Sequence, residues 1–466
     1  MLHGPRALYG QHTWPSWLQR TMGESHFRAA GEECHRVGCS LKQSGKPNSA
    51  TTAEAHIPKP MPEVGVSPQL SLFRTPAFLS LWFVGAIGAT ARWLEMLVIG
   101  IFVFDVTSSP FLVALMLLLR MLPMGLFGVF GGIVADRFDR RRVLIAVMSV
   151  MTTLAAVLGL LAAYDLIKVW HVGLGAFASG LIWVSDFPVR RTLLSELAGP
   201  GRTGTAMSLD IMSGSGSRMI GPLLGGGIYA GFGLGGAFLV TAVAYAISVV
   251  VLWRLKHRDE GTGAAHDGVV TTIIEGFRGL SRNPTLVGIF AVTVVFNIWG
   301  FPFMSMLPVI GKDLLNLDPF AVGLLASAEG LGAFVGAIAL AILGRVRWFR
   351  YLYFLGVLIY MLMALGFANS TIWWLSTAFL VATGGAIAAF AAMQSALVLL
   401  NSDDDTRHRM MGVLSMCIGT GLIGFLHLGL LADWLGASLA CSVIAVEGIL
   451  ALFFVFRAWP ELLMWQ

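Results

Sequence analysis

The chain reads as an all-α polytopic membrane protein of about twelve transmembrane helices in two six-helix halves. Three observations carry that reading. Of the 466 residues, 56% are hydrophobic and only 12% are charged. The apolar residues fall in runs of about 20, the length that crosses a bilayer as a helix. The basic residues are confined to alternate gaps between those runs. A soluble domain carries about a quarter of its residues as charges, so length here follows from the number of spans rather than from stacked soluble domains.

Residues 1–70 are rich in Gly, Ser, Pro, His and mixed charge. They lack the apolar core of about 7 to 15 residues that a secretory signal needs, and disorder is the expectation for such a tail. The stretch MPEVGVSPQLSLFRTPAF reads as a short cytoplasmic lead into the first span, so the natural protein is expected to start near Met61. N-terminal sequencing of the native product tests this, and a mature end at Met1 overturns it.

Beyond the tail, apolar runs broken by charge, Gly/Pro or Asn/Asp lie at about 78–104, 110–135, 143–164, 169–189, 204–230, 233–254, 285–311, 319–344, 351–368, 371–399, 410–432 and 436–457. The longest connection, 255–284, contains the polar, Gly-rich HRDEGTGAAHDG and reads as a cytoplasmic linker. It separates an N-terminal half, 71–254, from a C-terminal half, 285–466. The halves echo one another: GIYAGF at 227–232 aligns with GLLADW at 429–434, and GRVRWFR at 344–350 lies where DRFDRRR lies in the first half. Repeated halves are the sequence trace of proteins that rock around a central site.

Charge sets the orientation. One set of alternate connections holds Arg137, Arg140, Arg141 and Arg142; Arg190, Arg191 and Arg202; Arg254, Lys256, Arg258, Arg278 and Arg282; Arg345, Arg347 and Arg350; and Arg407 and Arg409. The intervening loops hold only Lys168 and Lys312. Seventeen against two places the basic loops and both termini in the cytoplasm. The same distribution disposes of nucleic acid as a partner, because the net charge of +5 sits in short topological clusters and not along one face.

Other chemistries find no support in the residues. Of the four cysteines, Cys34 and Cys39 lie in the tail, and Cys417 and Cys441 lie in apolar runs. His35 adjoins Cys34, but no second ligand pair with zinc spacing follows, so no metal site is expected. There is no HExxH pair, no GxxxxGK[ST] phosphate loop and no GxSxG elbow, and neither an enzyme nor a cofactor is expected.

The stretch GGIVADRFDRRRV, residues 131–143, resembles the signature loop of the major facilitator superfamily, with Gly132, Asp136, Arg137, Arg140 and Arg141 in register. The family usually has Gly where this chain has Asp139, and the second-half counterpart has Gly344 where Asp136 is matched. The resemblance covers about residues 70–460. More locally, LWFVGAIGATARWLEM, SDFPVRRTLLSEL and SRMIGPLLGGG are similar to bacterial efflux members of the enterobactin-exporter and macrolide-efflux type. The resemblance implies a gate: the loop's Asp at the N-terminus of span 11, near Met410 and Met411, and its Arg residues against an acid at the cytoplasmic end of span 4. Here that acid is Asp186, with Arg190 just beyond it. A carboxylate on a helix N-terminus and an Arg–carboxylate pair each contribute about 1 kcal/mol when exposed, which suits a latch that opens on every cycle.

Six ionisable residues fall deep in the spans: Arg92, Glu95, Arg120, Arg218, Glu329 and Glu447. Such residues default to functional hypotheses. Arg92 and Glu95, three apart, share a helix face and can pair as a packing device. The functional reading is a polar cavity in which Glu95 or Glu329 exchanges a proton while Arg92, Arg120 or Arg218 holds an anionic group or tunes the acid. Glu447 and His427 read as structural. Gly221, Pro222, Gly225 and Gly226 resemble the span-5 element of superfamily antiporters, although a packing kink explains the same residues. The Arg that drug:proton antiporters often carry in span 4 is missing from GLGAFASGLIW. Pro302 and Pro308 predict a bent span 7, and Trp170, Trp183, Trp299, Trp348 and Trp434 read as interfacial anchors.

Together the resemblance implies a secondary transporter of the bacterial inner membrane, exporting a small amphipathic compound (a siderophore, drug or secondary metabolite) by alternating access with proton antiport. It would act as a monomer, with the small-molecule substrate, protons and the bilayer as its partners. Import or flipping of a metabolite or lysophospholipid, and a membrane sensor that binds without transporting, are the alternatives.

Overall fold

The computed structural model describes residues 72–127, 139–199, 201–255, 283–343, 346–402 and 407–462. All regular structure among them is helical. Eleven helices are long and apolar enough to cross a membrane: α1 Pro76–Thr107, α2 Pro110–Phe127, α3 Arg140–Ala163, α4 Val169–Ala198, α5 Thr203–Arg254, α6 Pro284–Asp313, α7 Pro319–Ile342, α8 Phe349–Ala368, α9 Trp373–Leu400, α10 Arg409–Leu435 and α11 Ala437–Ala458. The expected tail and most of the expected linker lie outside the described residues.

α5 accounts for the twelfth crossing. At about 1.5 Å per residue a continuous helix of its 52 residues would run far beyond a hydrocarbon core of about 30 Å. Gly233 interrupts it with φ 63° and ψ −166°, a conformation open essentially to glycine alone. The arm before Gly233 packs on α1 and α7, and the arm after it packs on α3: a Cβ on Gly221 would meet Trp93 and Thr90, whereas one on Gly235 would meet Ala163 and Gly159.

Helix ends follow local chemistry. α1 starts on Pro76, where a missing N–H costs nothing, and stops at Ser108 with φ 51°. Asp139, the departure from the family's usual Gly, caps α3 by accepting the Arg142 N–H at 3.0 Å. Asn283 caps α6 on Thr285 and Leu286, again with Pro in the first turn. A single Gly436 with φ 80° separates α10 from α11.

The bend predicted for span 7 takes the form of a π turn, Phe296–Gly300, followed by a 3-10 turn, Phe301–Met306. Pro302 and Pro308 lack the N–H that a regular α-ladder needs. α10 seats its glycines on this irregular stretch, Gly421 against Asn297 and Gly424 against the Ile298 carbonyl and Pro302.

Candidate functional site

The halves meet along α5 with α7 and along α2 with α10. A Cβ on Gly226 would lie 2.5 Å from the Pro319 carbonyl oxygen and 2.8 Å from the Gly323 Cα, and one on Gly330 would lie 2.5 Å from the Met219 nitrogen. The motif Gly221, Pro222, Gly225 and Gly226 is therefore a two-sided contact. Gly221 and Gly225 lie on α1, and Gly226 lies on α7, where a Cβ on Gly323 would meet the Pro222 carbonyl. Below Gly330, α7 turns to α9 through Gly332 on Val381 and Gly336 on Gly385. There Ile211 and Met212 of α5 are exposed, and Gly204, Gly214 and Gly216 face open space. At the opposite end, Lys312 of α6 pairs with Asp105 of α1, Tyr229 donates to Asp105 at 3.3 Å, and Ser109 donates to Asp433 at 3.4 Å. The two halves are thus tied at the end away from the termini.

Just inside this tied end lies a small pocket walled by α1, α2, α5, α6 and α7. Its lining is apolar, including Trp93, Met96, Leu117, Pro222, Met304 and Pro308, apart from Ser305 and one ion pair, Arg218 with Glu329. One guanidinium edge engages both carboxylate oxygens: Nε donates to Oε2 at 2.6 Å and Nη2 donates to Oε1. Arg218 also lies over the Trp93 ring at 4.8 Å and donates to the Met304 sulfur at 3.6 Å. Glu329 is fully buried. Burying both charges is tolerable because the bidentate geometry satisfies each partner. The pair joins the N-terminal half to the C-terminal half at the pocket wall.

The remaining intramembrane charges of the first half form a separate network. Arg92 does not close on Glu95 as the i,i+3 spacing predicts. It reaches Asp186 on α4 at 3.5 Å, and Glu95 pairs with Arg120 on α2 at 3.5 Å. Opposite charges on neighbouring helices outcompeted the local pair because both side chains point into the interhelical space rather than along α1. Neither Arg92, Glu95 nor Arg120 lines the central pocket; they line two smaller spaces inside the first half.

The residues that the resemblance nominates for a gate are shared among several partners as well. Gly132, Asp136 and Arg137 lie outside the described residues. Arg140 pairs with Glu196, one helical stretch beyond the Asp186 that the resemblance nominated. Arg141 donates to the carbonyls of Leu252 and Trp253 at 3.0 and 2.7 Å, closing the C-terminus of α5. Arg190 bonds Asp210 at 2.5 Å and stands 4.0 Å from Asp186, and Arg191 reaches Asp210 at 3.1 Å. Sequence reasoning missed Glu196 and Asp210. Asp210 lies nearly two turns in from the start of an apolar run, and the arginines at 190 and 191 were the available signal that an acid faces them.

Two tryptophans expected at the interface lie half-buried in the middle of their helices. Trp183 lies beside Arg92, whose guanidinium is 5.9 Å from its ring, and Trp299 donates to Glu447 at 3.0 Å. Among the described residues no cluster suited to a metal ion is present.

Residues 67–462 match the family model described as transmembrane secretion effector. The chain belongs to this family of the major facilitator superfamily. Among its relatives, the MFS-type transporter YfiS of Bacillus subtilis is 26% identical over 80% of this chain and 91% of its own length. The staphyloferrin A transporter of Staphylococcus aureus is 22% identical over 80% and 94%, and macrolide efflux protein A of Streptococcus pyogenes is 21% identical over 58% and 67%. The fold matches the nucleoside transporter NupG with a TM-score of 0.66 at 15% identity, covering 82% of this chain and 99% of that one. It also matches a bacterial homologue of the lysosomal transporter Spinster, captured inward-facing and unoccupied, at 0.65 and 16%, covering 86% and 100%. The protein is a multi-pass secondary transporter for a small molecule, and its similar proteins are transporters rather than enzymes.

Proposed function

We propose that the protein exports a small amphipathic compound from the bacterial cytoplasm across the inner membrane, by alternating access and in exchange for protons. The observation that carries this reading is the Arg218–Glu329 pair set in an otherwise apolar pocket between the two halves. An apolar wall takes the hydrophobic body of a siderophore, macrolide or similar metabolite, and the pair takes its one polar group. A substrate donor that binds ionised Glu329 competes with a proton for the same carboxylate, and such competition is the minimum requirement for antiport.

The relatives named for macrolide efflux and staphyloferrin A support an amphipathic cargo. The tie at Asp105 and Lys312 supports a state closed on the outer side, with both termini cytoplasmic. Asp136 and Arg137, in the loop that leads into Arg140, would secure the inner side in the alternate state, whereas Arg140 with Glu196 joins α3 to α4 within the first half. One bundle contains the whole pocket, so a monomer suffices for the cycle.

The test is substrate-triggered proton movement in inside-out vesicles energised acid-inside, with a panel of siderophores, macrolides and cationic dyes. Proton release from the lumen on adding one compound is expected, and its loss in Glu329→Gln, with Glu95→Gln as the comparison, identifies the exchanging acid. Silence across the panel from a folded, expressed protein overturns the export reading.

A further inference from the structure

We infer that His427 and Glu447, outside the substrate pocket, form a second proton-binding site whose occupancy reaches that pocket through α6. His427 Nε2 lies 2.8 Å from Glu447 Oε2, and the same oxygen accepts the Trp299 indole N–H at 3.0 Å. Three helices, α6, α10 and α11, converge on one carboxylate in the middle of α11.

The pair differs in kind from every other intramembrane acid pair among the described residues. Glu95, Asp186, Asp210 and Glu329 each face a guanidinium, which does not lose its own proton in a protein. Glu447 faces an imidazole, the side chain whose charge changes near neutrality. Among the described residues neither His427 nor Glu447 has a Lys or Arg within ion-pair distance. Within the packed helices the other titratable groups are Cys441 on α11, Cys417 on α10 and Tyr353 and Tyr360 on α8, whose ordinary values lie above neutrality; Lys312 and Asp313 of α6, Arg350 and Tyr351 of α8 and Arg409 of α10 lie at helix ends. Asp433 and Arg457 lie toward the ends of α10 and α11.

Location makes the proton count matter. Both side chains are 39% exposed, at the edge of an outward apolar stripe that includes Ile423, Leu426, Val446 and Leu450. With one shared proton the pair is neutral overall; gaining or losing one leaves a net charge against hydrocarbon, which is costly. A change of occupancy therefore favours a rearrangement that moves the pair toward water or a counter-charge.

α6 is the element placed to carry that rearrangement. Trp299 belongs to the π turn, and the adjoining 3-10 turn supplies Met304 and Ser305 to the pocket wall, with Met304 in contact with Arg218. A 3-10 stretch inside a helix often marks a functional hinge, and π turns are frequent at functional sites. The route from Glu447 to Arg218 thus runs through Trp299 and one irregular stretch of backbone.

The test needs no substrate, so it stands or falls apart from the export reading. The full chain in lipid nanodiscs, labelled with 15N-histidine, is titrated over about pH 5 to 8, and the His427 signal is assigned by its loss in His427→Gln. One protonation step is expected in the wild type, moved by about a factor of ten in proton affinity in Glu447→Gln. Trp299→Phe removes only the indole donor and must move the same signal, so the assignment survives a poorly folding His427 variant. Glu329→Gln should leave the step in place. A His427 ring that keeps one state across the range, or a step unchanged in Glu447→Gln, overturns the site. Hydrogen exchange of the 296–306 segment, corrected for intrinsic rates, should differ between the two ends of the titration in the wild type and not in Glu447→Gln; equal exchange in the wild type overturns the link to the pocket.

Discussion

Arg218 and Glu329 show what a single buried pair does to a transporter's energetics. Each charge is tolerated only because the other is present, so removing one leaves an uncompensated ion, at a cost of about 3 to 5 kcal/mol. Arg218→Met alone should therefore lower thermal stability in detergent markedly. The double variant Arg218→Met with Glu329→Met should recover most of that loss and still fail to transport, because an apolar wall cannot orient a polar group. Melting curves and vesicle uptake on the same preparations check both halves of the statement. Where α3 meets α4, Arg140→Glu should impair transport by setting two acids against each other. Adding Glu196→Arg should restore a measurable part of the activity if the Arg140–Glu196 pair acts as paired.

Gly233 and the Gly226–Gly323 crossing make the corresponding point for elements. Gly233 divides one continuous helix into two spans, and its φ of 63° with ψ near −166° excludes other residues. Gly233→Ala should cost about 1 to 3 kcal/mol of backbone strain, read as reduced yield of folded protein in the membrane fraction rather than as altered substrate affinity. Gly226 acts differently. A methyl group there would press on the Pro319 carbonyl and the Gly323 backbone, neither of which can rotate away. Gly226→Ala should leave the first half folded but hold α5 and α7 apart at the tied end. The expected outcome is increased labelling of nearby engineered thiols from the outer side, together with loss of transport.

For the molecule as a whole, the tie between Asp105 and Lys312 closes one end while α5 and α7 part at the other. In a background lacking the four native cysteines, Asp105→Cys with Lys312→Cys should be cross-linked by a short bifunctional maleimide. Transport should stop when the link is made, while binding of a cargo dye from the open side persists. Activity that is unchanged by complete cross-linking would mean that this end does not open during the cycle.

The sequence by itself determined the spans and the family. Run length, the alternation of basic loops and the Asp136–Arg141 framework follow from constraints that are local and additive: hydrocarbon thickness, the positive-inside bias and a loop motif. The identity of the intramembrane charges was also legible, since any ionisable residue inside a run stands out. Their partners were decided only by the tertiary structure. Arg92 took Asp186, Glu95 took Arg120, Arg140 took Glu196, and His427 met Glu447, because a buried charge selects the nearest opposite charge across interhelical space, and the rotation of each helix about its axis is set by packing against neighbours. The central pocket was hidden for the same reason, since its wall draws one or two faces from each of five helices. Length and charge order are properties of a line, whereas a pocket and its ion pairs are properties of how the lines are rolled against one another.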